Sequence, residues 1–174
     1  MCVMKIISWN VNGVRAWHKK GSMEWVLREK PDFICLQEMK AREEQLPLDL
    51  REIPGYKLYM DHSKLKKGYS GVATYVREGF APLLIDTELH VDNPSVLKSV
   101  LKEGNGSPSN GVDHEGRFIA LHFNDFVLIN CYFPNGGGDK ERLHYKLNFY
   151  NSFLNYIVDC RERGKRVVFC GDVN

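Results

Sequence analysis

The sequence contains no apolar run near the roughly 20 residues that a membrane-spanning helix needs. This holds although 43% of its 174 residues are hydrophobic. The apolar stretch at the start is also too short for a signal peptide, because Asn10 interrupts it. We therefore predict a cytoplasmic protein that does not contact a membrane.

The sequence also lacks a strong net charge, which is only +2. Attraction to nucleic acid by a global positive field is therefore excluded, and any such binding must come from local patches. Basic residues cluster at positions 15–20, 64–67 and 161–166. Each patch taken alone is typical of a solvated surface, and only patches on a shared face would indicate a DNA-binding site.

Cysteines are few and lack the spacing of a zinc site. The count is five, an odd number, and most lie within apolar segments. This pattern favours reduced thiols in the core over disulfides or metal ligands.

Length and composition predict one soluble domain over residues 1–174. Residues 91–112 are rich in Gly, Ser and Asn and predict a flexible surface insertion, for which a lid is the less favoured alternative.

Three short apolar segments end on polar side chains. Residues 5–10 end at Asn10, residues 33–36 are followed by Glu38, and residues 167–170 are followed by Gly171 and Asp172. We interpret them as strands and expect the last to be buried on both faces. Helical patterns precede two of them, so parallel pairing would bring the polar ends to one edge of one sheet. Ligands gather at such edges in α/β proteins.

The remaining segments complete an α/β pattern. A helix capped by Ser22 should end before Pro31, and antiparallel strands are expected at residues 56–61, 71–76, 117–123 and 126–132. The last two should be joined by a two-residue turn. From residue 139, apolar residues at helical spacing predict a long helix that ends at Gly164. The residues that carry this spacing are Leu143, Leu147, Tyr150, Leu154 and Ile157.

Six short segments give the sequence a family resemblance. They are SWNVNGVRAW at 8–17, LQE at 36–38, GYSGVA at 68–73, EGR at 115–117, YFPN at 132–135 and GDVN at 171–174. In this order they resemble the exonuclease III family of apurinic/apyrimidinic (AP) DNA-repair endonucleases, within the endonuclease, exonuclease and phosphatase superfamily. The resemblance extends along the whole chain.

The resemblance implies a fold, an activity and a partner. The fold is a four-layered α/β sandwich, here incomplete. The activity is hydrolysis of the phosphodiester backbone at abasic sites or 3′ ends of double-stranded DNA, with Mg²⁺ as cofactor and Mn²⁺ as a second candidate. Hard oxygen ligands are what Mg²⁺ prefers, which suits the carboxylates and amides of these motifs.

The resemblance also implies roles for named residues. Metal ligands would be Asn10, Glu38, Asp172 and Asn174. Catalytic residues would be Tyr132, Asp172 and Asn174, with Asp172 as the base that activates water. Contacts to the DNA strand would come from Arg15, Lys67, Tyr69 and Asn135.

Each role has a structural alternative that the sequence leaves open. Asn10 could simply turn the chain, Glu38 could be a solvated strand-end carboxylate, and Asp172 could cap a loop. Tyr132 could be a half-buried packing residue, and Tyr69 a turn residue beside its glycines.

Family members continue past the Gly-Asp-x-Asn motif with a second half that this sequence does not contain. We therefore expect an uncovered sheet face and self-association of the 174-residue chain. Two further functions remain as alternatives. One is a non-catalytic remnant that binds DNA or a partner, and the other is a superfamily phosphoesterase that acts on small phosphoesters.

Overall fold

A computed structural model describes residues 4–89, 113–137 and 140–174. The insertion predicted at residues 91–112 lies outside these residues, as does Cys2. The elements are β1 (Ile6–Asn10), α1 (Val14–His18), α2 (Ser22–Arg28), β2 (Phe33–Gln37), a 3₁₀ turn (Glu43–Gln45), α3 (Leu48–Arg51), β3 (Tyr56–Asp61), β4 (Val72–Arg77), β5 (Leu84–Asp86), β6 (Phe118–His122), β7 (Phe126–Tyr132), α4 (Lys140–Glu162) and β8 (Arg166–Asp172).

The strands form two four-stranded sheets that pack face to face. The first has the order β1-β2-β4-β3 and the second has the order β5-β6-β7-β8. β1 pairs with β2 in parallel, β7 pairs with β8 in parallel, and the other pairs are antiparallel. Helix crossovers separate the strands of both parallel pairs, as parallel pairing requires.

Three buried clusters divide the molecule into layers. One lies between the sheets and includes Phe33, Val72 and Leu128. A second joins the first sheet to the N-terminal helices, and a third joins the second sheet to α4. The order helix, sheet, sheet, helix confirms the predicted four-layered α/β sandwich.

A buried polar bridge fixes the two sheets relative to each other. Asn130 of β7 donates through Nδ2 to the carbonyl oxygen of Ala73 at 2.9 Å, and its Oδ1 accepts from Gln37 Nε2 at 2.8 Å. Both side chains are buried, so their hydrogen bonds specify one arrangement of the facing strands. Gln37, at the end of β2, therefore points between the sheets.

Two features of the last strand differ from the sequence prediction. β8 pairs with β7 in the second sheet instead of joining β1 and β2 in the first. It is an edge strand among the described residues, and Val168 and Phe169 are 39% and 49% exposed. The expectation of a strand buried on both faces was wrong, because apolar composition does not distinguish a central strand from an edge strand.

The helices also show corrections. Gly21, in a left-handed conformation, occupies the position before α2, and Ser22 is its first residue and does not cap it. α1 and β5 were not predicted. α4 was predicted correctly, and Gly164 follows it with φ of 77°. However, its buried side chains include Tyr145, Phe149 and Phe153, whereas several of the apolar residues that predicted it are exposed.

The exposed residues of α4 form a stripe. Leu143, Leu147, Leu154 and Val158 are each more than 40% exposed. Their spacing places them on one side of the helix. On the buried face of α4, Phe153 packs against Phe169 of β8 with 5.4 Å between ring centroids.

Among the described residues, no helix is both long and apolar enough to cross a membrane. Cys35, Cys131 and Cys160 are buried and free, as predicted for core thiols, and Cys170 is partly exposed.

Candidate active site

Three strand ends meet at one place and bring three polar side chains into contact. Asn10 ends β1, Glu38 directly follows β2, and Asp172 ends β8. Asn10 Nδ2 donates to Glu38 Oε1 at 2.9 Å and to Asp172 Oδ2 at 2.5 Å. The predicted convergence is confirmed, but it joins the edges of two facing sheets and not one edge of a single sheet.

Local backbone conformation explains why glycine precedes Asp172. Gly171 has φ of 149°, and a Cβ atom there would lie 1.8 Å from the carbonyl oxygen of Cys131. Only glycine allows β8 to approach β7 this closely. The glycine of the Gly-Asp-x-Asn motif therefore sets the position of the carboxylate that follows it.

Glu38 sits in a strained turn. Its φ is 54°, a conformation that L-residues other than Asn, Asp and Gly rarely adopt. The turn is held by hydrogen bonds from the amides of Met39 and Lys40 to the carbonyl oxygens of Gly71 and Ser70 at 3.0 and 2.8 Å. Such strain is typical of functional positions, where the surrounding structure fixes one side-chain direction.

A lysine pairs with Glu38. Lys40 Nζ lies 2.8 Å from Glu38 Oε2 and 2.5 Å from Asn12 Oδ1. Burial would raise the pKa of Glu38, but hydrogen bonds from Asn10, Lys40 and Tyr132 outweigh it and lower the pKa. Glu38 is therefore an anion at neutral pH, and its two oxygens already have cationic or N–H partners.

Tyr132 ends β7 and interacts with Glu38. It is the parallel partner of Asp172 in the β7–β8 pair, and the Glu38 carboxylate is close enough to shift its pKa. Burial, followed by the Glu38 interactions, raises the pKa of Tyr132 to about 12. Its hydroxyl thus keeps its proton at neutral pH and can donate it in a hydrogen bond.

Asn174 lies further out. Its side chain is exposed, and Nδ2 donates to the carbonyl oxygen of Phe133 at 2.9 Å. Its backbone oxygen accepts from the Tyr150 hydroxyl at 2.7 Å. The structure places Asn174 beside Asp172 in sequence but gives it no hydrogen bond to Asn10, Glu38 or Asp172 among the described contacts.

The donor set at this place suits a hard cation. It consists of the carboxylates of Glu38 and Asp172 and the amide of Asn10, with the Asn174 amide further out. Within the described residues no group of three or more His, Cys, Asp or Glu side chains could hold a metal ion. A pair of carboxylates with room for water is the arrangement that Mg²⁺ uses, whereas Zn²⁺ sites are built from several His or Cys ligands.

A groove with basic walls opens next to these carboxylates. It has a volume of about 630 Å³, and its lining includes Arg15, Lys19, Lys40 and Gly68. Arg15, which was predicted to contact the DNA strand, is on α1 and lines the groove. Lys67 is exposed in the turn next to Gly68, and no described contact holds its side chain.

The other two residues assigned to DNA, Tyr69 and Asn135, both hydrogen-bond to Arg142. The Tyr69 hydroxyl accepts hydrogen bonds from Arg117 at 2.9 Å and from Arg142 at 3.1 Å. Asn135 is exposed beyond β7, and its carbonyl oxygen accepts from Arg142 Nε at 3.3 Å.

Sequence reasoning assigned no role to Lys40, Arg117 or Arg142. Arg117 is only 1% exposed and lies 4.5 Å from the centre of the Tyr132 ring. Its presence in the EGR segment was a signal, but the sequence does not reveal that its charge is buried. Lys40 follows Glu38 by two residues, which is a spacing that carries no signal unless the turn is known.

Comparisons with known proteins agree with this geometry. Residues 7–174 match the model of the Endonuclease/Exonuclease/phosphatase family. The chain is 40% identical to the DNA repair nuclease APEX1 of Danio rerio over 98% of its own length and 49% of that protein. It is 33% identical to an exodeoxyribonuclease of Bacillus subtilis, covering 58% of it.

A solved structure has the same fold. The catalytic domain of Xenopus laevis APE2 superposes with a TM-score of 0.79 and 29% identity, covering 98% of this chain and 58% of that one. The chain therefore spans about half the length of the curated relatives it matches. On these matches and on the site geometry, the chain belongs to the Endonuclease/Exonuclease/phosphatase family, in its exonuclease III and AP endonuclease branch.

Proposed function

We propose that this chain carries the reaction centre of a Mg²⁺-dependent DNA-repair nuclease that hydrolyses the phosphodiester backbone at abasic sites or 3′ ends. The observation that carries the proposal is the contact of Asn10 with both Glu38 and Asp172 beside a groove lined by basic residues. Relatives named as a DNA repair nuclease and as an exodeoxyribonuclease support the choice of DNA as the substrate.

Glu38, Asp172, Asn10 and Asn174 are the residues that would hold the cation, with Mn²⁺ as a second candidate. When bound, a divalent cation neutralises phosphate charge and lowers the pKa of a bound water. Lys40 already occupies one oxygen of Glu38, so this lysine must give way, or share the carboxylate, when the cation binds.

Asp172 is the group that would take the proton of the attacking water. Its carboxylate is held in place by Asn10, which leaves one oxygen for the water. Holding the base in one orientation avoids the cost of ordering it during the reaction.

Tyr132 and Asn174 would face the phosphate as hydrogen-bond donors. The raised pKa of Tyr132 keeps its hydroxyl protonated, so it can donate to an oxygen on which negative charge develops. Asn174 contributes an amide at the exposed end of the same strand, beyond Asp172.

Arg15, Lys67, Tyr69 and Asn135 would hold the duplex by its backbone. Arg15 lines the basic groove, Lys67 is exposed in the turn next to Gly68, and Tyr69 and Asn135 hydrogen-bond to Arg142. Contacts of this type position DNA without selecting a base sequence. Their strength should fall steeply with salt because phosphate binding releases counterions.

The test is Mg²⁺-dependent cleavage by the purified chain of three substrates: a duplex with one abasic site, a duplex with a recessed 3′ end, and p-nitrophenyl phosphate. The proposal predicts that one or both duplexes are cut, that EDTA stops the reaction, and that the small phosphoester is not hydrolysed. Binding without cleavage would instead support a non-catalytic remnant. Hydrolysis of the small ester alone would support a phosphoesterase.

A further inference from the structure

A largely buried charge cluster next to Tyr132 hydrogen-bonds to the hydroxyl of a second tyrosine, Tyr69. The cluster consists of Glu115, Arg117 and Arg142, and we call it the guanidinium clamp. Glu115 accepts from Arg142 Nη1 and Nη2 at 2.9 and 3.0 Å and from Arg117 Nε at 2.6 Å. The Glu115 and Arg117 side chains are 7% and 1% exposed, so these bonds form largely away from water.

Gly116 allows this cluster to form. Its φ is 65°, and a Cβ atom there would lie 2.3 Å from the carbonyl carbon of His62. The glycine therefore lets the loop between Glu115 and Arg117 pack directly on the backbone at His62. From this position Glu115 accepts from Arg117, and Arg117 contacts both Tyr69 and Tyr132.

The clamp directs two donors at one oxygen. Arg117 Nη2 and Arg142 Nη2 both donate to the Tyr69 hydroxyl oxygen, at 2.9 and 3.1 Å. A guanidinium group donates hydrogen bonds and accepts none. The Tyr69 oxygen must therefore act as the acceptor in both bonds, and its own hydrogen must point in a third direction.

That third direction has no acceptor within residues 4–89, 113–137 and 140–174, because the two guanidinium groups are the only hydrogen-bond partners of this hydroxyl there. Tyr69 is partly exposed and directly precedes the Ser70-Gly71 turn that supports Glu38, while Gly68 lines the basic groove. The charged groups that contact this hydroxyl are both guanidinium groups, whereas Glu115 accepts hydrogen bonds from both of them and Asp113 accepts from the backbone amide of Arg117. An anionic acceptor is the group that this O–H direction and these guanidinium charges would favour.

Arg117 connects the same clamp to Tyr132. Its guanidinium lies over the Tyr132 ring, and its Nη1 donates to the Tyr132 carbonyl oxygen at 3.1 Å. One buried side chain therefore contacts both Tyr69 and Tyr132.

We infer that the guanidinium clamp is a positioning device. It fixes the orientation of the Tyr69 hydroxyl so that its hydrogen is donated to a single phosphate oxygen of the DNA strand. The inference rests on the proposed function for the identity of the anion. It adds Glu115, Arg117 and Arg142 as positioning residues that do not themselves need to touch DNA.

The experiment measures equilibrium binding of a duplex containing a stable abasic analogue, in Ca²⁺ and at one salt concentration. Tyr69→Phe should weaken binding roughly 10-fold, the usual effect of losing a hydrogen bond to a charged group. Arg142→Lys should also weaken binding, because lysine keeps the charge but cannot serve Glu115 and Tyr69 together. In the Tyr69→Phe background, Arg142→Lys should cause no further loss.

Neutral methylphosphonate groups, placed one at a time near the lesion, supply a second measurement. At one phosphate the replacement should weaken DNA binding by the parent protein, and it should not change DNA binding by Tyr69→Phe. Tyr56→Phe is the matched control for a lost hydroxyl, because the Tyr56 hydroxyl bonds to the carbonyl oxygen of Pro31 in the first sheet. Arg163→Lys, at an exposed pair with Asp159, is the control for the arginine.

The outcomes separate this inference from the proposed function. If the parent binds and cleaves DNA but Tyr69→Phe binds equally well, the inference is wrong and the nuclease proposal stands. Additive losses from Tyr69→Phe and Arg142→Lys would also overturn it, since the arginine would then act by charge alone. A parent protein that does not bind DNA would overturn both.

Discussion

Asn10 and Asp172 are 162 positions apart in the chain, yet Asn10 Nδ2 lies 2.5 Å from Asp172 Oδ2. The same nitrogen donates to Glu38. An amide between two carboxylates reduces their mutual repulsion by giving each a hydrogen bond. This contact also joins the edge strands of both sheets, so the site and the sandwich are coupled.

Replacing this amide by a third carboxylate tests the coupling. Asn10→Asp removes both N–H donors and adds a negative charge, so the variant should lose about 1–3 kcal/mol of stability without divalent cations. Saturating Mg²⁺ should recover more stability in the variant than in the parent, because binding to the folded state stabilises it. Thermal unfolding with and without Mg²⁺ measures both effects.

Asn151→Asp, on the exposed surface of α4, is the matched control. It adds the same charge away from the site and should show neither effect. Equal Mg²⁺ responses in Asn10→Asp and the control would contradict the proposed cation position.

The role of Glu38 can be tested by Glu38→Gln, which keeps the shape and removes the charge. The variant should need a higher Mg²⁺ concentration for half-maximal cleavage and should cut more slowly at saturation. Titration of Mg²⁺ against cleavage of an abasic duplex measures both quantities. A variant with the parental Mg²⁺ requirement and rate would show that Glu38 is not a ligand.

The Glu115 pair with two arginines predicts a pH dependence of stability. Burial would raise the pKa of Glu115, but Arg142 and Arg117 outweigh it, so the folded-state pKa lies below the ordinary value. A lowered folded pKa stabilises the protein above the unfolded pKa of about 4.3, and this contribution is lost as the pH falls through the folded value.

Glu115→Gln should therefore cost about 3–5 kcal/mol at neutral pH, because it leaves two buried or half-buried guanidinium groups without their anion. The difference in unfolding free energy between parent and variant should shrink below about pH 4. Denaturant unfolding of both proteins at several pH values measures this difference in unfolding free energy. Glu44→Gln, at an exposed glutamate, should show almost no difference, and a pH-independent cost for Glu115→Gln would refute the assignment.

Many strands and helices of this structure could be predicted from local patterns in the sequence. Apolar runs that end on Asn10 and Glu38 gave β1 and β2, because a buried strand must stop where its side chains become polar. The Asn124-Asp125 turn gave the β6–β7 hairpin. The glycine before Asp172 fitted a strand end, and the structure shows that it permits the close approach of two strands.

Other features depend on contacts that no local pattern encodes. β8 has the composition of a central strand, and only its pairing with β7 shows that Val168 and Phe169 are exposed. Gln37 and Glu38 are adjacent, but a positive φ at Glu38 directs one into the core and the other to the site. The burial of Arg117 depends on Glu115 and on the backbone of Tyr132, and no spacing in the sequence predicts that.

The exposed stripe on α4 bears on the expected self-association. Leu147 and Leu154 are 53% and 58% exposed on the same side of α4. A contiguous apolar surface of this kind favours contact with a second copy of the chain. Sedimentation velocity should show a concentration-dependent increase in mass, and Leu147→Lys with Leu154→Lys should reduce it.

Asn155→Lys adds a positive charge to α4 outside the stripe and should not reduce the association, whereas Leu154→Lys alone, which adds one charge within the stripe, should. A parent that stays monomeric at all concentrations would show that the stripe does not mediate self-association.

The central claim is that Asp172 activates the attacking water at a site assembled by Asn10 and Glu38. Its most direct test is single-turnover cleavage of an abasic duplex in Mg²⁺ beside equilibrium binding in Ca²⁺, for the parent and for Asp172→Asn. The account predicts that the cleavage rate falls at least about 100-fold. Binding should stay equal or become tighter, because a negative charge near phosphate is removed. Cleavage by Asp172→Asn at the parental rate would contradict the account.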